Sequence, residues 1–213
     1  MPDQGRSIPY EPGLDGLRAI SVIGVLLYHA FALSPSPGWF RGGNLGVSVF
    51  FTLSGFLITS LLLAEHGRDG RLDLWRFWGR RVQRLVPASL VVVLAVTLLS
   101  AADIMSARAA DVVAAVWSAT NWHVIAAGDG QLLQTIVGPL GPTWSLAVEE
   151  QFYVGLALAA WLAVRTTRPE RTLAMVFGVV GVSAVVAANL LTDYQPHLEF
   201  GTLMRAAELA AGG

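Results

Sequence analysis

The chain contains no cysteine and no lysine among its 213 residues. Without cysteine there can be no disulfide, no thiolate nucleophile and no sulfur-ligated metal site. Without lysine, Schiff-base chemistry is excluded as well. Charged residues make up only 14% of the sequence, and the formal net charge is −1. This composition lacks the basic character of a nucleic-acid-binding protein.

What the sequence has instead is hydrophobicity: 54% of its residues are apolar and its mean hydropathy is +0.57. Crossing a bilayer core of about 30 Å takes roughly 20 mainly apolar residues. Five segments approach or reach that length, at about 17–33, 46–64, 86–102, 143–164 and 172–191. A sixth span is expected to start in "RAAELAAGG" at 205–213. The sequence therefore predicts an all-α, polytopic membrane helix bundle that forms a single domain over residues 1–213.

The arginines predict the orientation of this bundle. A weaker helix at 108–126 is interpreted as interfacial or re-entrant, within an external loop at 103–142. Eleven arginines then fall on the side of the N-terminus and three on the other, namely Arg41, Arg108 and Arg205. Arginine is enriched in cytoplasmic loops, so we expect the N-terminus to lie in the cytoplasm.

Two ionisable residues lie in the first span, Arg18 and His29. They are eleven residues apart, which is about three helical turns and about 16 Å along the axis, so both project from nearly the same face. Ionisable groups inside a membrane usually face a bundle interior and mark a functional path. The alternative is that each side chain simply reaches the membrane interface nearest to it.

The second span, "GVSVFFTLSGFLITSLLLA", carries a stripe of small residues, Ser48, Thr52, Gly55 and Thr59. Small residues at this spacing let transmembrane helices approach closely, so helix packing is the leading interpretation and a polar path the alternative. Ser54 lies beside the stripe with no base nearby in the sequence, so it is not expected to be a nucleophile.

An arginine cluster, "RFWGRRVQRLVPAS" at 76–89, precedes Pro87, which is expected in the first turn of the following helix. Arg81 and Arg84 share one helical face, and Trp75 and Trp78 are close in sequence. Ordinary anchoring on the cytoplasmic side explains the charge. Guanidinium groups beside aromatic rings could also bind phosphates and stack on an adenine ring.

Two adjacent carboxylates, Glu149 and Glu150, lie in "GPTWSLAVEEQFYVGLALAAW" at 141–161. Neighbouring helical positions are about 100° apart, so the two cannot face the same environment. The helix dipole stabilises a carboxylate only in the first turn, and both glutamates lie beyond it. A carboxylate at that depth therefore needs a partner, such as His29 or an arginine on another span. Further along, Arg205 and Glu208 are spaced for a local ion pair. No metal-binding histidine spacing and no phosphate-binding glycine loop occurs in the sequence.

The order of these motifs resembles the membrane-bound acyltransferase family 3, which includes bacterial O-antigen and peptidoglycan O-acetyltransferases. The matching segments are "LDGLRAISVIGVLLYH", "LGVSVFFTLSGFLIT", "FWGRRVQRLVPA", "NW" at 121–122, "TWSLAVEEQFY" and "RAAEL". The resemblance implies transfer of an acyl group, usually acetyl, from cytoplasmic acyl-CoA to a hydroxyl of an extracytoplasmic carbohydrate or lipid-linked glycan. It also implies a bacterial plasma membrane and about ten spans, of which this chain would be the N-terminal half.

The resemblance also implies residue roles. Arg18 and His29 match the family's hallmark arginine–histidine pair, and Arg81 and Arg84 match its Arg-x-x-Arg motif. Arg18, Arg81 and Arg84 would bind the CoA part of the donor, and no metal is implied. His29 would be the general base on the acceptor hydroxyl, with Glu149 or Glu150 orienting its imidazole. An acyl-histidine intermediate remains open, as do a transporter or flippase and an inactive scaffold.

Overall fold

The structure is a computed structural model that describes residues 11–31, 45–127, 138–190 and 195–213, with only the backbone described at 29–31, 195 and 196. Nine helices lie in these segments. They are α1 (Pro12–Phe31), α2 (Leu45–Asp69), α3 (Leu74–Ala101), α4 (Ala109–Val116), α5 (Thr120–Ala126), α6 (Thr143–Ala163), α7 (Pro169–Leu190), α8 (Gln195–Phe200) and α9 (Thr202–Gly212).

Four of the described helices, α2, α3, α6 and α7, are long and apolar enough to cross a membrane. The prediction of a polytopic helical membrane protein is therefore confirmed. The predicted span at 17–33 overlaps α1, and its last two residues lie outside the described part of the chain. The predicted start of a further span at 205–213 lies in α9.

Helix α3 starts twelve residues before the predicted span at 86–102. Asp73 caps it, because its side chain accepts a hydrogen bond from the backbone N–H of Arg76 at 3.0 Å. The arginine cluster is thus helical, and Pro87 lies inside the helix. The prediction that Pro87 opens a helix is wrong, because the cap at Asp73 starts it earlier and a helix can continue past a proline at the loss of one backbone hydrogen bond.

The segment predicted as one helix at 108–126 is instead two short helices, α4 and α5. They are separated at Ser118, whose φ of +49° is in the left-handed region and interrupts the helix. Ser118 donates a hydrogen bond to Glu150, about two helical turns into α6. The α4–α5 hairpin therefore folds back alongside α6, and each of its helices is too short to span a bilayer.

The core is centred on α2, α6 and α9. An ideal Cβ on Gly55 of α2 would overlap the carbonyl oxygen of Leu209 in α9, so only glycine allows this approach. Ser48 Oγ and Thr52 Oγ1 from the same stripe donate hydrogen bonds to Glu208, to its carboxylate at 3.0 Å and to its carbonyl at 3.1 Å. The packing interpretation of the small-residue stripe is confirmed.

Candidate functional site

Four helices surround a cavity of about 230 Å³ that we call the arginine cavity. It is lined by α1, α2, α3 and α6. Its polar lining residues are Arg18, Ser54, Arg81, Arg84, Glu149 and Tyr153. Four of the six site residues predicted from the sequence thus meet at one place, although they lie up to 131 positions apart in the chain.

Two of the three guanidinium groups of the cavity contact aromatic rings. Arg18 Cζ lies 5.1 Å from the ring centre of Phe50. Arg81 Cζ lies 4.0 Å from the ring centre of Tyr153 and 5.6 Å from that of Phe77. Arg84 is exposed. Within the described segments, none of the three arginines forms an ion pair with a carboxylate, which leaves their charge available to an anionic ligand.

The aromatic neighbours of Arg81 differ from those suggested by the sequence. Trp75 is 90% exposed and points away from the bundle. Trp78 packs edge-to-face on Phe77 with ring centres 5.4 Å apart. Tyr153 from α6 takes the place expected for tryptophan, because its ring lies against the Arg81 guanidinium.

Glu149 is the one carboxylate among the described residues that line the cavity. It is 6% exposed, and its carboxylate accepts a hydrogen bond from the hydroxyl of Tyr153, which is 1% exposed. Ser54, 2% exposed, lies beside the Tyr153 hydroxyl without a hydrogen bond of standard geometry to it. The bond to Tyr153 supplies the partner that a buried carboxylate needs.

Glu150 points away from the arginine cavity. Its carboxylate accepts a hydrogen bond from Ser118, and it lines two other cavities between α3, α4 and α6. The prediction that the two adjacent carboxylates face different environments is confirmed. Each carboxylate has a hydroxyl donor of its own, Tyr153 for Glu149 and Ser118 for Glu150.

His29 lies in the last turn of α1, and its side chain is outside the described part of the structure. The helical rise places it about 16 Å beyond Arg18 along the axis of α1. Its predicted contact with Glu149 or Glu150 stays a prediction. Arg205 and Glu208, predicted as a local ion pair, form one at 2.6 Å on α9, away from the arginine cavity.

Sequence reasoning missed Tyr153 and the buried amide network beside it. Tyr153 follows Glu149 by four residues, a spacing that places the two side chains on one helical face and could have revealed the pair. The amide of Gln151 donates to the Ser118 carbonyl at 2.9 Å and to Asn121 Oδ1 at 3.0 Å. Asn121, fully buried, donates in turn to the Thr202 hydroxyl at 3.0 Å. This network fixes the α4–α5 hairpin against α6 and α9.

The described side chains contain no group of three or more histidines or carboxylates arranged to hold a metal ion.

Comparison with known proteins identifies the family. The acyltransferase-domain family matches residues 11–213, nearly the whole chain. The chain belongs to this acyltransferase family. It is 37% identical over 208 residues to O-acetyltransferase OatA of Staphylococcus aureus strains NCTC 8325 and COL, a match that covers 95% of this chain and 34% of OatA. It is also 37% identical over 215 residues to the protein SAS0844 of S. aureus strain MSSA476.

The chain thus spans about a third of the length of the curated relatives it matches. No solved structure matches it. The resemblance drawn from the motifs is confirmed at the level of the family.

Proposed function

We propose that this acyltransferase chain binds acyl-CoA, usually acetyl-CoA, from the cytoplasm and takes part in transferring the acyl group to a hydroxyl of an extracytoplasmic carbohydrate or other cell-envelope acceptor. The observation that carries the proposal is the arginine cavity, where Arg18, Arg81 and Arg84 meet between four helices. The names of the S. aureus relatives support acetyl as the transferred group.

The positive charge of the cavity favours binding of the acyl donor, acyl-CoA. Three guanidinium groups face one carboxylate, Glu149, so the cavity is cationic when all four groups are ionised. Placing cations inside a membrane bundle is costly unless they are paired, and ionisable residues in spans usually mark a functional path. Guanidinium groups bind phosphate oxygens through paired hydrogen bonds, so the phosphates of CoA suit this site.

In the proposed orientation the arginine cavity lies toward the cytoplasmic side of the membrane, from which acyl-CoA would enter. The N-terminus of α1, the end of α2 and the start of α3 would face the cytoplasm of a bacterial cell, where the arginine-rich segments are expected. Arg18 and Arg81 would then lie nearer the inner membrane surface than His29. The CoA arm would run outward along α1 over about 16 Å, from the cavity toward the imidazole.

His29 is the proposed general base. It would take the proton of the acceptor hydroxyl as the oxygen attacks the thioester carbonyl. The carbon–sulfur bond breaks, an ester carbon–oxygen bond forms, and the proton passes to the departing CoA thiolate. With an ordinary pKa near 6.5, an imidazole suits this task. Glu149 or Glu150 would orient the imidazole of His29. The carboxylate of Glu149 also accepts a hydrogen bond from the Tyr153 hydroxyl in the arginine cavity.

A binding titration tests the donor site. The chain is purified in detergent and titrated with acetyl-CoA, and the Kd is compared between wild type, Arg81→Ala and Arg71→Ala. Arg71 is the matched control, because it is exposed on the same side of the bundle and does not line the cavity. Loss of a charge-assisted hydrogen bond costs about 1.5–3 kcal/mol, so Arg81→Ala is expected to raise the Kd about tenfold to a hundredfold. Equal Kd values for the three proteins would refute the proposed donor site.

A further inference from the structure

Two cavities lie outside the arginine cavity, between α3, α4 and α6. The first cavity has a volume of about 280 Å³, extends from Val93 to Glu150 and includes Thr143. The second, about 380 Å³, continues from Glu150 to Trp78. The two share five lining residues, Leu85, Val86, Val116, Ser118 and Glu150. They therefore form one continuous depression, which we call the α3–α6 groove.

The groove ends at the wall of the arginine cavity. Arg81, Leu85 and Tyr153 line both the groove and that cavity. From Val93 to Arg81 the groove follows α3 for twelve residues, about 18 Å at the rise of a helix. A molecule lying in the groove would thus run along the membrane normal with one end beside the proposed donor site.

The groove opens toward lipid rather than toward water. Its rim carries apolar side chains that are about half exposed, among them Val86 (40%), Leu90 (52%) and Val116 (50%). Leu90 and Val86 belong to the membrane-spanning helix α3. A ligand that enters through this rim must come from the bilayer, and its walls favour hydrocarbon over a bare sugar.

One polar pair interrupts these apolar walls where the two cavities join. The Glu150 carboxylate accepts a hydrogen bond from the Ser118 hydroxyl, and Ser118 is its only hydrogen-bond donor among the described residues. A carboxylate has two oxygens that can each accept several hydrogen bonds, so Glu150 retains accepting capacity. A carboxylate at membrane depth favours a further donor, and a ligand hydroxyl is one.

We propose that the α3–α6 groove binds a membrane amphiphile, a hydrocarbon chain that carries a hydroxyl, with the hydroxyl donating to the Glu150 carboxylate. Given the proposed function, this amphiphile is a lipid-linked acceptor that approaches the donor from within the bilayer. The hydroxyl bound at Glu150 anchors it and is distinct from the hydroxyl that His29 would deprotonate. The position of Glu150, between the lipid-facing rim and the wall at Arg81 and Tyr153, supports this assignment.

Photolabelling tests the groove. The chain is reconstituted into phosphatidylcholine vesicles with a long-chain alcohol that carries a diazirine, irradiated, and analysed by mass spectrometry of its peptides. We expect labelling concentrated on the groove faces of α3, α4 and α6. An unlabelled long-chain alcohol should compete, whereas an alkane of the same length and a soluble sugar should not.

Variants locate the polar contact. Glu150→Gln keeps the size of the side chain and removes the charge, and it is expected to lower the apparent affinity for the alcohol about tenfold, as for loss of a charge-assisted hydrogen bond. Val86→Trp should block the groove, whereas Leu98→Trp, on the lipid-facing part of α3 outside the groove, should leave labelling unchanged. An unchanged acetyl-CoA Kd in Val86→Trp would show that this variant is folded.

Labelling spread evenly over all lipid-facing helices would overturn the proposal, as would competition by the alkane equal to that by the alcohol. Competition by the soluble sugar alone would assign the groove to a water-borne ligand and would overturn it too. If acetyl-CoA did not bind the wild-type chain but the groove were still labelled, the proposed donor site would be refuted and the proposed α3–α6 groove would stand.

Discussion

The guanidinium of Arg81 lies 4.0 Å from the ring centre of Tyr153, whose hydroxyl donates to Glu149. One tyrosine thus contacts both the cation of α3 and the carboxylate of α6. A cation over an aromatic face is stabilised by the ring quadrupole, more so when water is excluded. Tyr153 thus bridges Arg81 and Glu149, which form no ion pair with each other.

The Tyr153–Glu149 hydrogen bond can be measured with a double-mutant cycle. Tyr153→Phe keeps the ring and removes the donor, which leaves a buried carboxylate without its partner. We expect the free energy of unfolding in detergent to fall by about 1–3 kcal/mol. Glu149→Leu on the Tyr153→Phe background should cost less than Glu149→Leu alone, because the hydrogen bond is already lost. Strictly additive effects would mean that the two side chains do not interact.

The sequence predicted the membrane class and most of the arginine cavity because both depend on residue type. The length of the apolar segments predicts the spans. Arg18 stands out as a cation within a span, and Arg81 and Arg84 stand out because they share one helical face beside aromatic residues. Tyr153 was not recognised, since a tyrosine inside a span is unremarkable until its neighbours are known. The start of α3 at Leu74 was missed because arginines and Pro87 interrupt the apolar pattern, although neither ends the helix.

The left-handed residue Ser118 could not be predicted either. Serine is not a residue that marks positive φ, and its conformation is stabilised by contacts distant in sequence. The Gln151 side chain donates to the Ser118 carbonyl, and the Ser118 hydroxyl donates to Glu150. Such a turn follows from tertiary structure and not from local preference.

The approach of α2 to α9 requires glycine at position 55. In Gly55→Ala the new methyl group would overlap the Leu209 carbonyl oxygen, so we expect a loss of about 1–3 kcal/mol in the free energy of unfolding, as for an overpacked core. Gly67→Ala is the control in the same helix, because a Cβ there meets no atom within 4 Å. That variant should be neutral or gain about 0.5–1 kcal/mol through better helix propensity. The measurement is thermal unfolding of both variants in one detergent.

The membrane orientation can be tested by cysteine labelling, since the chain has no native cysteine. Thr167→Cys lies between α6 and α7 and is expected to react with an impermeant maleimide only from the cytoplasmic side. Ser106→Cys, between α3 and α4, should react only from outside. Both positions are exposed. Labelling of position 167 from outside would mean that the chain crosses the membrane once more between α3 and α6.

The α4–α5 hairpin should lose stability in acid. Burial raises the pKa of Asp111, but hydrogen bonds from Arg108 and His123 outweigh it and hold the pKa below its usual range. A carboxyl whose folded pKa is depressed stabilises the fold above its unfolded pKa of about 3.9, and that stability disappears as pH falls through the folded pKa. Asp111→Asn should therefore unfold more readily at neutral pH and depend less on pH below about 4. A wild-type pH profile in the variant would contradict this.

Variants of Arg81 and of His29, at the two ends of the proposed site, should change different kinetic constants in an assay of acetyl transfer. Arg81→Ala removes a donor contact present before and during the reaction, so it should mainly raise the KM for acetyl-CoA. His29→Ala removes a group that acts in the transition state and should lower kcat by about 10²–10⁴-fold, with the affinity for acetyl-CoA little changed. An acyl-histidine intermediate would add a further signature, acetyl bound covalently to His29 when the acceptor is withheld. If Arg81→Ala instead lowered kcat and left the KM for acetyl-CoA untouched, the arginine cavity would be structural and the donor would bind elsewhere.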